Sequence, residues 1–143
     1  MNVKTILARK GYDVITIAPD RTVAEAVRQL ELCNVGALVV SEDGYSLAGI
    51  LSERDVIRGL ATTGPAILSP TVEALMSRDV FVCTRRDSVD ALFAMMTDRR
   101  VRHLPVVEHG IVVGIISIGD VVKYRVDSLA EEAEALRDYI LHA

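Results

Sequence analysis

Tryptophan is absent and aromatic residues make up only 4% of the 143 positions. An aromatic core is therefore excluded, and so is a row of stacking rings of the kind that holds single-stranded nucleic acid. Cysteine occurs twice, as Cys33 and Cys83, far apart and without metal-ligand spacing. That count gives neither a disulfide scaffold nor a zinc site. Both thiols are expected to be small buried hydrophobes in a reducing compartment. No apolar run approaches the ~18 residues of a membrane span. The first thirteen residues lack the apolar stretch of a signal peptide, so the cytoplasm is the expected location. Catalytic signatures are missing as well. There is no Gly-x-x-x-x-Gly-Lys phosphate loop, no Gly-x-Gly-x-x-Gly, no nucleophile elbow and no His-Glu-x-x-His zinc motif. The three histidines, His103, His109 and His142, are scattered. The expectation is a protein that is not an enzyme and carries no metal.

What the chain has is aliphatic. Half of it is hydrophobic, mostly Val, Ile, Leu and Ala, which suits buried strands crossed by helices. A chain of this length buries roughly 68–70% of its unfolded surface and folds without covalent staples. The net charge of -4 argues against broad attraction to nucleic acid or to an anionic membrane. It leaves room for a local basic pocket.

The chain also repeats itself. Val14–Val23 lies over Val80–Val89 at an offset of 66, which holds through Gly44 and Gly110. One residue is then lost, and Gly49–Val56 falls on Gly114–Val121 at an offset of 65. In each copy an apolar face follows helical spacing: Val23, Ala26, Val27 and Leu30 in the first, Val89, Leu92, Phe93 and Met96 in the second. Thr22 and Glu25 predict a capping box, and Ser88 is the matching cap. Two β-rich stretches follow each helix. Ala37–Val40 and Leu47–Leu51 flank the turn signal Glu42–Gly44, and Leu104–Val107 and Ile111–Ile116 flank Glu108–Gly110. Short helices are predicted near Asp55 and Asp120. The expected division is residues 1–62 for the first repeat, 63–71 for a linker, 72–126 for the second repeat and 127–143 for a C-terminal helix. Ser128 and Glu131 predict a capping box for that helix. Its seam of Leu129, Ala133, Leu136 and Ile140 has coiled-coil spacing.

Two such units, each closing on Gly-apolar-apolar-Ser-x-x-Asp, resemble the CBS domain pair, named after cystathionine β-synthase. The resemblance is carried by Gly49–Asp55, Arg102–Val106 and Gly114–Asp120, and covers nearly all of Val3 to Arg125. It implies an α+β fold of two pseudo-symmetric βαββα repeats packed through their sheets, with two clefts between them. It also implies an adenosyl ligand in those clefts (AMP, ADP, ATP, NAD(H) or S-adenosylmethionine) and a disc-like homodimer. Many family members are regulatory appendages, and this chain leaves no room for a catalytic domain.

The residues fit such a ligand. An ionised carboxylate accepts both hydroxyls of a ribose. Asp55 and Asp120, each three residues after Ser52 and Ser117, are therefore candidates for the ribose, with helix capping as the plainer role. The seryl hydroxyls and free helix N–H groups, with Gly119 beside them, suit phosphate or sugar oxygens. Arg102 and His103 are phosphate candidates, as is Arg54. Arg99 and Arg100 are expected to face solvent, while Arg58 and Lys123, three residues after Asp55 and Asp120, fit phosphate contacts and ordinary helix salt bridges equally. By the family pattern the adenine slot falls on Thr16, Ile17, Ala18 and Ala37, and on Val82, Cys83, Thr84 and Pro105. Core packing is the competing role of the aliphatic ones. The cations are unequal: Arg102 and His103 replace Gly36 and Ala37, while Glu53 and Arg54 give way to Ile118 and Gly119. That inequality argues against equal occupancy of the two clefts, with different affinities or two different ligands as the alternatives. The leading expectation is a non-catalytic nucleotide sensor with a downstream protein target. The alternative is a ligand-independent dimeric scaffold.

Overall fold

The computed structural model describes residues 2–142; Met1 and Ala143, the outer ends of the first repeat and of the C-terminal helix as divided above, lie outside them. The order is α1 (Val3–Lys10), β1 (Thr16–Ile17), α2 (Val23–Cys33), β2 (Ala37–Val40), β3 (Gly49–Ser52), α3 (Glu53–Thr63), a 3-10 turn (Gly64–Leu68), α4 (Val72–Leu75), α5 (Val89–Arg99), β4 (His103–Glu108), β5 (Ile111–Ser117) and α6 (Ile118–His142). The class is mixed α+β. In the first half β2 pairs antiparallel with β3 and parallel with β1. In the second half β4 and β5 form an antiparallel hairpin.

The repeat extends to the register. Ala37 opposes Ser52 and Val40 opposes Gly49; in the second half the same places oppose His103 to Ser117 and Val106 to Gly114. Ile17 lies beside Val40 and Cys83 beside Val106, both parallel. The stretch Val82–Thr84, which the 66-residue offset places over Thr16–Ala18, is reduced to that single bridge. The β4–β5 hairpin closes on His109 (φ 52°) and Gly110 (φ 77°), two left-handed residues that match the twist of the strands.

Each half is completed by the segment preceding the other half. Val3, Ile6 and Leu7 of α1 pack with Cys83, Leu92, Leu104 and Ile116. Val72 of α4 packs with Ile17, Ala26, Leu38 and Leu51. Backbone bonds repeat the exchange: Val3 N–H donates to the Asp87 carbonyl at 2.9 Å, and Val72 N–H to the Arg21 carbonyl at 2.7 Å. A packed half is therefore not a continuous stretch of sequence.

Several expectations are corrected. Val23, Ala26 and Leu30 are buried on α2, and Val89, Leu92 and Met96 on α5, but Phe93 is exposed. Cys33, the last residue of α2, is exposed, against expectation; Cys83 is buried as expected. Burial, and then the nearby Asp87 and Glu108 charges, push the Cys83 thiol up to about 12. The linker is not slack: Ile67 of the 3-10 turn lies against Gly59 of α3. The expected C-terminal helix is present, but as the outer part of a longer helix rather than a separate element capped at Ser128. α6 runs unbroken for 25 residues. Its only glycine is in the first turn and it has no proline, so nothing stops propagation from the anchored turns at Val121 and Tyr124. Beyond Ser128 every described residue is exposed, the seam Leu129, Ala133, Leu136 and Ile140 included.

Candidate functional site

The Ser-x-x-Asp motifs sit where β3 meets α3 and β5 meets α6. Ser52 is the N-cap of α3 and Asp55 its third helical residue. Asp55 N–H donates to Ser52 Oγ at 3.2 Å, and Ser52 N–H donates to Asp55 Oδ2 at 2.9 Å. The second half repeats this between Ser117 and Asp120, at 2.9 and 3.1 Å. These are reciprocal capping boxes. Each carboxylate satisfies a backbone donor with Oδ2, so the cap leaves acceptor capacity on both groups for a ligand.

Around Asp55 lies an open cleft of about 820 Å³, including its solvent-filled mouth. Ser52, Arg54 and Asp55 line it from the first half, and Arg102 and His103 from the second. The structure thus brings together motif residues that are some fifty positions apart in sequence. Arg58, for which the sequence left helix pairing and a phosphate role open, lines the same cleft, and so does Arg100, which the sequence pointed to solvent. Arg100 enters because it is the left-handed cap of α5 (φ 54°), which turns the chain back toward β4. Arg99 lies 5.2 Å over the Phe81 ring instead. Against the four guanidinium groups stand three carboxylates, Glu53, Asp55 and Asp79. The charged lining is therefore net cationic.

His103 marks the junction of the halves. A β-carbon on Gly36 would lie 3.2 Å from the His103 ring and 3.4 Å from Glu53 Oε1, so the glycine is what admits this approach. Burial lowers the His103 pKa from the ordinary histidine value, outweighing the upward pull of Glu53; Lys10 and Arg102 also lower it and Asp120 raises it. The ring is neutral at pH 7, with one N–H to donate.

The second motif is not free. Lys10 Nζ, at the end of α1, donates to Asp120 Oδ2 at 2.6 Å and to the Ile115 carbonyl at 2.8 Å. Burial pushes the Asp120 carboxyl up, but the Lys10 ammonium and the bonds with Ser117 hold it below the usual carboxylate value. Gly119 and Ser117 flank this pair on α6 and β5.

None of the residues expected to face adenine lines the Asp55 cleft. Ile17, Ala37, Cys83 and Pro105 are buried, Ile17 and Cys83 within the two cores; Thr16 is half-buried, and Val82 and Thr84 are exposed. Ala18 borders a shallow, mainly acidic depression with Asp20, Glu25, Glu42 and Glu73. The apolar wall of the cleft is instead Ile50, Val80, Phe81 and Val101. Val80 and Phe81 do not pair as a strand, and they line the cleft. No helix of the described residues is long and apolar enough to cross a membrane.

Comparison with known proteins agrees with this geometry. The CBS domain family matches residues 3–62 and 72–127. The CBS domain-containing protein CBSX3, mitochondrial, of Arabidopsis thaliana is 40% identical over 125 residues, which are 85% of this chain and 61% of that protein. This chain therefore spans less than two thirds of that relative's length. The crystal structure of the CBS-domain containing protein ATU1752 from Agrobacterium tumefaciens superposes with a TM-score of 0.84 at 44% identity, covering 87% of this chain and 99% of that one. The CBS domain pair of protein MJ0100, solved with 5'-methylthioadenosine and S-adenosyl-L-methionine, superposes with a TM-score of 0.78 at 27% identity over 90% of this chain and 98% of that one. CBS pairs of this kind are regulatory modules, and adenosine-containing ligands occupy the MJ0100 pair. The chain belongs to the CBS domain family and carries the domain twice in tandem.

Proposed function

We propose that this protein is a non-catalytic sensor that binds an adenine nucleotide (AMP, ADP, ATP or NAD(H)) in the cleft between its two halves. One observation carries the reading. Asp55, with acceptor capacity beyond its capping bond, shares a cleft with Arg102 and His103 of the opposite half. The ribose hydroxyls go to Asp55, and the phosphates to Arg102, His103 and Arg54. The adenine ring lies against Val80, Phe81 and Ile50. A ligand so held touches both halves at once. It favours whichever relative arrangement of the halves gives the better fit, which is how a binding event becomes a signal to a target protein.

The test is calorimetric titration of ligand-stripped protein with AMP, ATP and NADH. Micromolar affinity for at least one, about -8 kcal/mol, is expected. Silence for all three would sink the sensor reading.

A second reading is a ligand-independent dimeric scaffold, and one observation favours it. The outer half of α6 exposes Leu129, Leu136, Tyr139, Ile140 and Leu141. In both readings we propose a homodimer in the cytoplasm, with the exposed faces of α2 and α5 meeting and α6 reinforcing the contact. Melting temperature separates the two. A ligand at one hundred times its Kd stabilises by about 2.7 kcal/mol, whereas a scaffold with empty clefts does not respond.

A further inference from the structure

The pseudo-symmetry of the halves breaks at one point. Leu7 of α1 and Met76 after α4 take equivalent places, each against a glycine of the neighbouring hairpin strand, Gly114 and Gly49. Beyond them the two segments diverge. α1 stays helical for three more residues, to Lys10. α4 has already ended at Leu75, and Met76 is extended (φ -60°, ψ 154°). Ser77 then exchanges backbone hydrogen bonds with Ile50, at 3.0 and 2.9 Å. From there the chain forms the wall of the open cleft through Asp79 and Val80.

The consequence is chemical as well as geometric. Three residues past Leu7 stands a lysine; three past Met76 stands Asp79. The lysine reaches the second ribose candidate and neutralises it at 2.6 Å. Asp79 carries the wrong sign to do this, and among the described residues Asp55 has no ion-pair partner. Lys10 is also held in place, since Leu7 is fully buried and the ammonium makes a second bond to the Ile115 carbonyl. The pair is shielded, with side-chain exposures of 31% and 22%. Breaking it would leave a half-buried carboxylate with less compensation.

We propose that Lys10 is a tethered occupant of the second cleft, the place that the pseudo-symmetry of the halves assigns around Asp120: its ammonium takes the place of a ribose diol on Asp120, so that only the cleft at Asp55 accepts an adenine nucleotide. Because the lysine is part of the chain, it competes at the high effective concentration of an intramolecular group. A nucleotide must displace it before reaching Asp120. The inference rests on the nucleotide reading above and deepens it by assigning a stoichiometry and the residue that sets it.

The experiment uses the full chain, stripped of ligand, with AMP, ATP and NADH in the calorimeter. Wild type is expected to bind one molecule per chain. Lys10→Met and Lys10→Gln keep most of the side-chain stem and remove the charge; both are expected to raise the stoichiometry to two. In the double variant Lys10→Met with Asp55→Asn, the event that remains belongs to the second cleft. A wild-type stoichiometry of two overturns the inference and leaves the nucleotide reading standing. So does a stoichiometry that stays at one in both lysine variants, once melting curves show them folded. Silence of wild type for the whole panel sinks the nucleotide reading of the Asp55 cleft. In that case, binding gained by the lysine variants would still identify Lys10 as the block, and silence there too overturns both.

Discussion

At the scale of single residues, the central question is whether Asp55 is a cap or a ligand. The structure shows the cap, and the remaining acceptor capacity of the carboxylate fits the proposed ribose contact. Asp55→Asn keeps an oxygen to accept from Ser52 N–H but removes the charge. It is expected to cost well under the roughly 1 kcal/mol of a lost cap. A hydrogen bond to a charged group contributes about 1.5–3 kcal/mol, so the same change should weaken nucleotide binding by about ten-fold or more. Titration beside a urea denaturation curve checks both; unchanged affinity would make Asp55 a cap alone. His103 gives a second test. Its folded pKa lies below its unfolded value near 6.5, so below that value the unfolded chain takes up a proton that the folded chain resists. Its contribution to stability is complete above pH 6.5 and is lost as pH falls from there toward the folded value. His103→Gln should flatten stability between pH 7.5 and 5.5 relative to wild type, as measured by urea midpoints. Asp55, Ser52, Arg54, Arg102 and His103 were legible in the sequence because the motif and its neighbours are local. Lys10 was not, since its bond to Asp120 joins residues 110 positions apart. Arg100 was missed because only its left-handed backbone turns it toward the cleft.

At the scale of elements, the sequence marks the helices better than the strands. α2 and α5 begin at Thr22 and Ser88, whose side chains accept from Glu25 and Ala91 N–H. Strand β1 shrinks to two residues and its counterpart to one bridge, because register and tertiary packing decide pairing there more than composition does. The exchange of α1 and α4 between halves was invisible as well, since apolar periodicity says which face is buried but not against what. It makes the two glycines unequal. A β-carbon at Gly49 would lie 2.7 Å from the Ser77 backbone carbonyl oxygen as well as from Met76 Sδ, whereas at Gly114 it meets only the Leu7 side chain. Backbone cannot yield as a side chain can. Gly49→Ala is therefore expected to destabilise by about 1–3 kcal/mol and by more than Gly114→Ala, in thermal melts of the two variants. The reverse order would show that α4 is held less tightly than α1.

For the whole molecule, the halves are joined by the exchange of α1 and α4, by the Val112 N–H to Tyr45 carbonyl bond at 2.9 Å, and by the contact of Gly36 with His103. A ligand at that junction adds a further bond between them. The outer half of α6 exposes Leu129, Leu136, Tyr139, Ile140 and Leu141, an apolar surface that a second copy would cover. Truncation after Val126 is therefore expected to weaken self-association while leaving nucleotide affinity within about two-fold, an energy change below roughly 0.5 kcal/mol. Sedimentation at tens of micromolar checks this, and a full-length monomer with or without nucleotide would rule out the dimer. The claim that a nucleotide bridges the halves is met most directly by a crystal structure grown with saturating ATP or NADH. The ribose hydroxyls should lie on the Asp55 carboxylate, with a phosphate in bonding reach of Arg102 or His103. An Asp55 cleft empty at millimolar ligand, or a ligand touching one half only, would contradict it.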